Sequence, residues 1–144
     1  MIVVADTNIV LRLIIASDSF EQKQAAFCLL KEAEKFVIPV MVFCEYCWVL
    51  RREMPGKAIA DSIRMILRYE NVVADVHAVR AGLRMLDAGG DFADGVIQHL
   101  GDRMAGAPSV FASFDRKALR LLAAQGFATL VPTPPTPPQS DKTA

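Results

Sequence analysis

Five short apolar or β-branched runs alternate with longer segments of helical spacing, and this alternation constrains the fold more than any other feature. Strands separated by helices favour a parallel sheet, because a parallel connection has to cross over the sheet. The predicted strands cover residues 2–5, 36–38, 72–74, 109–112 and 128–131. The predicted helices cover residues 8–16, 20–35, 40–53, 56–69, 76–88, 92–105 and 116–125.

The length and the distribution of prolines predict one folded domain followed by a tail. A chain of 144 residues is long enough to bury one core unaided. From residue 132 onward the sequence reads PTPPTPPQSDKTA, in which the prolines cannot donate backbone hydrogen bonds. We therefore predict a domain over residues 1–131 and a disordered, Pro-rich tail over residues 132–144.

The charge balance and the cysteines exclude several functional classes. Lys plus Arg and Asp plus Glu each number 16, so nucleic acid would have to bind through local basic patches. The N-terminus carries no basic residue before its apolar run, which predicts a cytoplasmic chain with no secretory signal. Cys44 and Cys47 lie in an apolar stretch and are interpreted as buried thiols, since a second pair of zinc ligands is not evident.

Polar residues follow two of the predicted strands at the point where each strand ends. Asp6 comes directly after the first run, with Thr7 and Asn8 behind it, and Asp115 follows the fourth run, with Ser113 nearby. Ligands of open parallel sheets gather at the carboxyl ends of the strands, so these side chains are candidate site residues. For each Asp taken alone, a helix N-cap is the preferred interpretation.

Glu45 is the only charged residue between Pro39 and Leu50 in a helical segment that is apolar nearly all the way round. Such a helix is expected to be buried, and a buried carboxylate needs a cation or a metal as partner. An internal arginine is the structural alternative, and Arg52 is the nearest candidate although it is too distant for a direct helix pair.

The segment GGDFADGVIQHLGDRM carries a third acidic group. A helical period places Asp91, Asp94, Gln98 and Asp102 on one side and apolar residues on the other. Asp91 and Asp94 lie one turn apart at the predicted helix N-terminus, where the helix dipole favours negative charge. A solvated acidic face is the alternative interpretation, and it is the preferred one for Asp102.

Taken together, the acidic residues come from separate elements that could meet at one sheet edge. Clustered carboxylates repel one another unless a cation lies between them, so a hard divalent ion is expected. Oxygen ligands and few nearby His or Cys favour Mg²⁺, with Mn²⁺ as a second possibility, over zinc.

Four segments in this order resemble PIN-domain ribonucleases of the VapC toxin group: VVADTNIVLRL, VFCEYCWVLRR, GGDFADGVIQHL and VFASFDRKAL. The resemblance covers residues 2–131 and implies a three-layer α/β/α fold with a central, mainly parallel sheet of about five strands. It implies a metal-dependent endoribonuclease that pairs with an antitoxin and forms a homodimer. The implied catalytic and metal-binding residues are Asp6, Glu45, Asp94 and Asp115, with Asp91 as an additional ligand and Thr7, Asn8 and Ser113 in support.

Two further expectations follow from the resemblance. Cations that flank the acidic elements are candidates for contact with the RNA backbone, namely Arg51, Arg52, Arg116 and Lys117. Gly95 stands where the family more often has Ala, and a glycine is expected to loosen the helix start by about 1 kcal/mol.

Two alternatives to a toxin ribonuclease are left open. The first is a housekeeping RNA-processing nuclease, and the second is a non-cleaving module that binds a basic partner and helps to regulate DNA.

Overall fold

A computed structural model describes residues 1–15 and 19–140. Five strands and seven helices alternate along these residues. The strands are β1 (Ile2–Val4), β2 (Lys35–Val37), β3 (Val72–Val73), β4 (Val110–Ala112) and β5 (Ala128–Leu130). The helices are α1 (Thr7–Ile14), α2 (Phe20–Glu32), α3 (Val40–Leu50), α4 (Gly56–Ile66), α5 (Val76–Asp87), α6 (Phe92–Ala105) and α7 (Arg116–Ala124).

Every predicted strand and helix is present, which confirms the α/β class. Most helices end one to three residues earlier than predicted, as α2 does at Glu32 because β2 begins at Lys35. The predicted end of α1, Ala16, lies outside the described residues. Residues 132–140 contain neither helix nor strand.

The strands pair in parallel, as predicted, but they form two hydrogen-bonded sheets. The first has the order β1-β2-β3, with Val3 opposite Phe36 and Phe36 opposite Val72. The second joins β4 to β5, with Phe111 opposite Thr129. Among the described residues, the mainly parallel pairing expected for about five strands is thus present as groups of three and two hydrogen-bonded strands. The chain correspondingly forms two compact units, Met1–Ser109 and Val110–Ala144.

The core of the first unit is built from large side chains that the sheet and its helices enclose completely. Phe36 of β2, Phe43 and Tyr46 of α3 and Phe92 of α6 are all buried, and the rings of Phe43 and Phe92 lie 6.5 Å apart. Tyr46 meets its hydrogen-bonding need through the hydroxyl of Ser62, which is 2.6 Å away and bonds onward to the Ile59 carbonyl. Burial raises the pKa of Tyr46 to about 12.

Helices α5 and α6 approach each other closely because glycines face the contact. A Cβ on Gly95 would lie 2.8 Å from the Ala81 carbonyl carbon and closer still to its oxygen, and one on Gly82 would collide with the Phe92 ring. The expectation that Gly95 loosens the helix start does not describe the main role of this residue. Because glycine has no side chain, α6 can pack against the α5 backbone at this position. This packing fixes the start of α6, where Asp91 and Asp94 lie.

In the second unit α7 packs against β5, which pairs with β4. Ala118, Leu119 and Leu122 of α7 are buried, and the Ser113 amide donates to the Leu130 carbonyl at 3.1 Å. Among the helices of the described residues, none has the length and apolar content that crossing a bilayer requires.

Candidate metal and nucleic-acid site

Asp6 and Thr7 lie where β1 ends and α1 begins. Asp6 caps α1 by accepting a hydrogen bond from the Thr7 amide at 2.7 Å through Oδ1. The interpretation of Asp6 as a helix cap is therefore correct. Capping uses only Oδ1, and Oδ2 of Asp6 makes no hydrogen bond within the described ranges. Asp6 is exposed and keeps this oxygen available to a ligand. Asn8, the next polar residue, is exposed on α1.

Thr7 connects this strand end to the middle of α3. Its side chain is buried, and its hydroxyl donates to Oε2 of Glu45 at 2.8 Å. This bond joins residues that are 38 positions apart in sequence. Asp6 and Glu45 thus belong to one local arrangement, in which Thr7 orients the Glu45 carboxylate.

Glu45 itself is exposed, so the expectation of a buried carboxylate was wrong. Helix α3 buries only the face with Phe43, Tyr46, Cys47 and Leu50, and its other face is open. Trp48 retains 64% of its surface on that open face. The apolar composition of α3 gave the wrong indication because apolar residues also occupy its exposed side. The hydroxyl of Thr7, and not an arginine, is the partner of Glu45.

Asp91 and Asp94 form an acidic pair at the N-terminus of α6. Asp91 is exposed, Asp94 is half-buried, and each offers a carboxylate oxygen within 4.8 Å of the other's. Asp91 precedes the first helical residue without capping it through its side chain. The helix dipole and the free amides at this end stabilise the two negative charges.

The predicted faces of α6 were only partly correct. Gln98 is buried, whereas Ile97 and Met104 on the supposed core side are exposed by 57% and 88%. Asp102 is not merely solvated, because it accepts from the Ser109 amide at 2.9 Å, from the Ser109 hydroxyl and from Gln98 at 2.6 Å. These bonds, those from Ser109 first, lower the pKa of Asp102. Asp102 therefore ties the end of α6 to the following loop.

Asp115 belongs to the second unit, where it caps α7. Its Oδ1 accepts from the amides of Lys117 at 3.0 Å and Ala118 at 3.1 Å. Ser113 supports the loop by accepting from the Asp115 amide at 2.9 Å. Capping again uses a single oxygen, and Oδ2 of this exposed carboxylate makes no hydrogen bond in the part of the chain that the structure describes.

The donor set of the first unit suits a hard divalent ion. Two oxygens that ligate one Mg²⁺ at about 2.1 Å lie at most about 4.2 Å apart. The spacing of up to 4.8 Å between Asp91 and Asp94 therefore needs only a small adjustment of the side chains. Burial raises the pKa of the Cys44 and Cys47 thiols.

Cationic side chains border the acidic elements. Arg51, Arg52, Arg116 and Lys117 are all exposed. Arg51 stacks on Trp48, with its guanidinium carbon 3.5 Å from the ring centroid. A cavity of about 490 Å³ lies between α3, the start of α4 and the start of α6, and its lining includes Trp48, Arg51, Lys57, Asp91 and Asp94.

Trp48 and Lys57 are possible site residues that the sequence patterns did not indicate. The spacing of three between Glu45 and Trp48 was a usable signal, because residues three apart share a helix face. A second missed feature is a groove of about 530 Å³ lined by four arginines. Arg64 lies on α4 and Arg68 just after it, whereas Arg80 and Arg84 lie one turn apart on α5.

Comparison with known proteins identifies one family. The model of the PIN domain family matches residues 3–124, which is most of the chain. No curated protein matches the sequence significantly.

Proposed function

The chain belongs to the PIN domain family, a fold of metal-dependent nucleases that act on RNA, and from this we propose that it is a divalent-metal-dependent endoribonuclease. The reaction is hydrolysis of RNA phosphodiester bonds. The observation that carries the proposal is the carboxylate pair of Asp91 and Asp94 at the start of α6. Asp6, which follows β1, and Glu45 of α3 are proposed as further oxygen ligands, and Thr7 bonds to both through its amide and its hydroxyl.

The proposed ligands of Mg²⁺ or Mn²⁺ are Asp6, Asp94 and Asp115, with Glu45 and Asp91 in addition. A divalent ion held there supplies a Lewis acid that activates water and stabilises negative charge on the leaving oxygen. Thr7 holds Oε2 of Glu45, and this leaves Oε1 to orient a water molecule. Asp6 and Asp115 each cap a helix with one oxygen and offer the other as ligand.

The substrate assignment to RNA is supported by local positive charge in a chain of zero formal net charge. Arg51 and Lys57 line the same cavity as Asp91 and Asp94. The arginine-lined groove between α4 and α5 offers a second surface for phosphates, since Arg68, Arg80 and Arg84 have no acidic partner among the described residues. Salt-sensitive contacts of this kind supply most of the affinity for a nucleic-acid backbone.

The biological role that we propose is the toxin of a type II toxin–antitoxin pair, based on the resemblance of the four acidic segments to the VapC group. A homodimer is part of this proposal. Exposed apolar side chains such as Met41, Met65 and Ile97 provide surface that association could cover. The nuclease domain is proposed to span residues 1–131, with residues 132–144 as a separate tail.

Cleavage of a structured RNA mixture by the full chain tests the activity. We expect products with Mg²⁺ or Mn²⁺ and none with excess EDTA. Asp94→Asn should abolish cleavage, because it removes ligand charge at nearly constant volume. Asp102→Asn is the matched control two turns further along α6 and should cleave at the wild-type rate. Full activity in EDTA, or equal activity of the Asp94 variant, would contradict the proposal.

A further inference from the structure

The cavity beside the acidic pair combines an aromatic wall with two cations. Trp48 lies near the end of α3, Arg51 directly follows that helix, and Lys57 lies in the first turn of α4. Asp91 and Asp94, at the start of α6, line the same cavity. Its volume of about 490 Å³ is within the usual range of pockets that bind small ligands. All of these residues belong to the first compact unit.

Trp48 is placed to contact a ligand. Even with the Arg51 guanidinium stacked on the ring, Trp48 keeps 64% of its surface exposed. Arg51 also donates to the Trp48 carbonyl, so the cation is fixed beside the indole from two directions. An exposed aromatic ring beside a cavity offers a face on which a nucleic-acid base can stack.

The charges around the cavity match those of a nucleotide. Arg51 and Lys57 have no acidic partner in the part of the chain that the structure describes, so they remain available to a phosphate. The carboxylates of Asp91 and Asp94 lie on the same cavity, where a divalent ion would meet a second phosphate. Besides phosphate and ribose, a nucleotide carries a neutral aromatic base. The exposed ring of Trp48 is the surface on which such a base could stack.

We propose that this cavity is a subsite for one unpaired RNA base, which stacks on Trp48 while its phosphate binds Arg51 and Lys57. The inference rests on the endoribonuclease function proposed above and deepens it. A base in a duplex cannot present its face to a side chain, whereas an unpaired base can. Occupation of the subsite therefore requires that the base contacting Trp48 be unpaired.

Intrinsic fluorescence tests the stacking directly, because Trp48 is the sole tryptophan of the chain. The probe is a short unstructured oligoribonucleotide, added in Mg²⁺ to the full-length Asp6→Asn variant, whose changed residue does not line the cavity. We expect quenching that saturates. The same sequence in a hairpin duplex, and an abasic ribose-phosphate chain of equal length, should quench weakly. Equal quenching by the abasic chain would overturn the proposal.

Binding of a dye-labelled oligoribonucleotide, followed by anisotropy, provides the second measurement. Trp48→Ala should weaken binding about tenfold or more, and Trp48→Phe should retain most of it, because stacking needs only an aromatic ring. Phe20→Ala is the matched control, since Phe20 is 70% exposed and lines a different pocket. Lys57→Gln should weaken binding, while Lys31→Gln on that other pocket should not.

The outcomes separate this inference from the nuclease proposal. Cleavage without quenching, and with unchanged affinity of Trp48→Ala, would leave the nuclease standing and refute the stacking subsite. Quenching without cleavage by the wild-type chain would support the subsite and count against the nuclease. If Trp48 emission in the RNA-free protein is that of a buried indole and light scattering gives a dimer, a second copy occupies the surface and the proposal is wrong.

Discussion

The hydroxyl of Thr7 donates to the Glu45 carboxylate at 2.8 Å and thereby joins the end of β1 to the middle of α3. Thr7 is buried and Glu45 is exposed, so the bond fixes an outward-facing carboxylate from beneath. Asp6 precedes Thr7 and accepts a bond from its amide. One small residue therefore sets the geometry of two of the proposed metal ligands.

Removal of this hydroxyl should reduce cleavage without unfolding the protein. Thr7→Val keeps the volume but loses the donor, and we expect a fall in the cleavage rate of between about tenfold and about a hundredfold, as misplacement of a catalytic group produces. The free energy of unfolding should fall by only about 1 kcal/mol, because water can solvate the exposed Glu45. Thr7→Ser retains the donor and should cleave near the wild-type rate. Equal rates for the Val and Ser variants would show that the bond is irrelevant to activity.

Substitutions at Asp115 separate helix capping from metal binding. Asn is as good an N-cap as Asp, so Asp115→Asn should keep the melting temperature near that of the wild type while cleavage is lost. Asp115→Ala should lose both, with a cost of about 1 kcal/mol for the missing cap. Asp75→Asn likewise keeps a cap on α5, although it also removes the ion pair with Arg103, and it should leave cleavage intact. An active Asp115→Asn enzyme would restrict Asp115 to its structural role.

Two glycines of α6 should respond in opposite directions to the same substitution. Gly95→Ala forces a methyl group against the Ala81 carbonyl, and overpacking of this kind costs about 1–3 kcal/mol of stability. At Gly101 nothing lies within 4 Å of the added Cβ, so Gly101→Ala should raise stability by up to about 1 kcal/mol through helix propensity. Chemical denaturation of both variants measures these shifts. Stabilisation by Gly95→Ala would mean that α5 and α6 pack less closely than described.

The sequence predicted those features that local pattern controls. Helix α6 was predicted correctly at both ends, because Asp91 precedes it and Gly106 ends it with a left-handed φ of 69°. The alternation of strands and helices likewise predicted parallel pairing. The capping roles of Asp6 and Asp115 were foreseen from their positions before helices.

Features that depend on distant neighbours could not be predicted from local pattern. Helix α3 is apolar on both faces, and only the fold decides which face is covered, so Glu45 was wrongly expected to be buried. The bond between Thr7 and Glu45 spans 38 residues and leaves no local signature. Local pattern marks Gly95 only as a weak helix former, because its close contact with the Ala81 backbone involves a different helix. The division of five short strands into two sheets is set by pairing between distant segments.

Alkaline pH should destabilise the fold through Tyr46. Its pKa is about 12 in the folded chain against a reference value of 10.0, so the unfolded chain loses the phenolic proton first. The stabilising contribution is complete below pH 10 and is lost as the pH rises through about 12. Tyr46→Phe should cost about 1 kcal/mol near neutral pH, for the lost bond to Ser62. Between pH 10 and about 12, the free energy of unfolding of Tyr46→Phe, measured by denaturant titration, should fall less steeply than that of the wild type. An equal fall in both proteins would show that Tyr46 is not the cause.

The proposed acidic site should also bind a cationic side chain of an inhibitory partner. Asp91 and Asp94 place two carboxylates within 4.8 Å, and a planar guanidinium can bridge two carboxylates bidentately. We therefore expect an antitoxin to insert an arginine among Asp6, Glu45, Asp94 and Asp115, where it would compete with the divalent ion. Partner and metal binding would then be reciprocally coupled.

Calorimetric titration of such a partner at low and high Mg²⁺, with ionic strength matched by a monovalent salt, measures that coupling. The dissociation constant should rise with Mg²⁺, and replacement of the partner's arginines by Ala should abolish the dependence. Asp94→Asn should weaken partner binding and reduce its response to Mg²⁺, while Asp102→Asn on the same helix should change neither. An affinity indifferent to metal and to the partner's basic residues would make steric blockage of the RNA path the better explanation of inhibition.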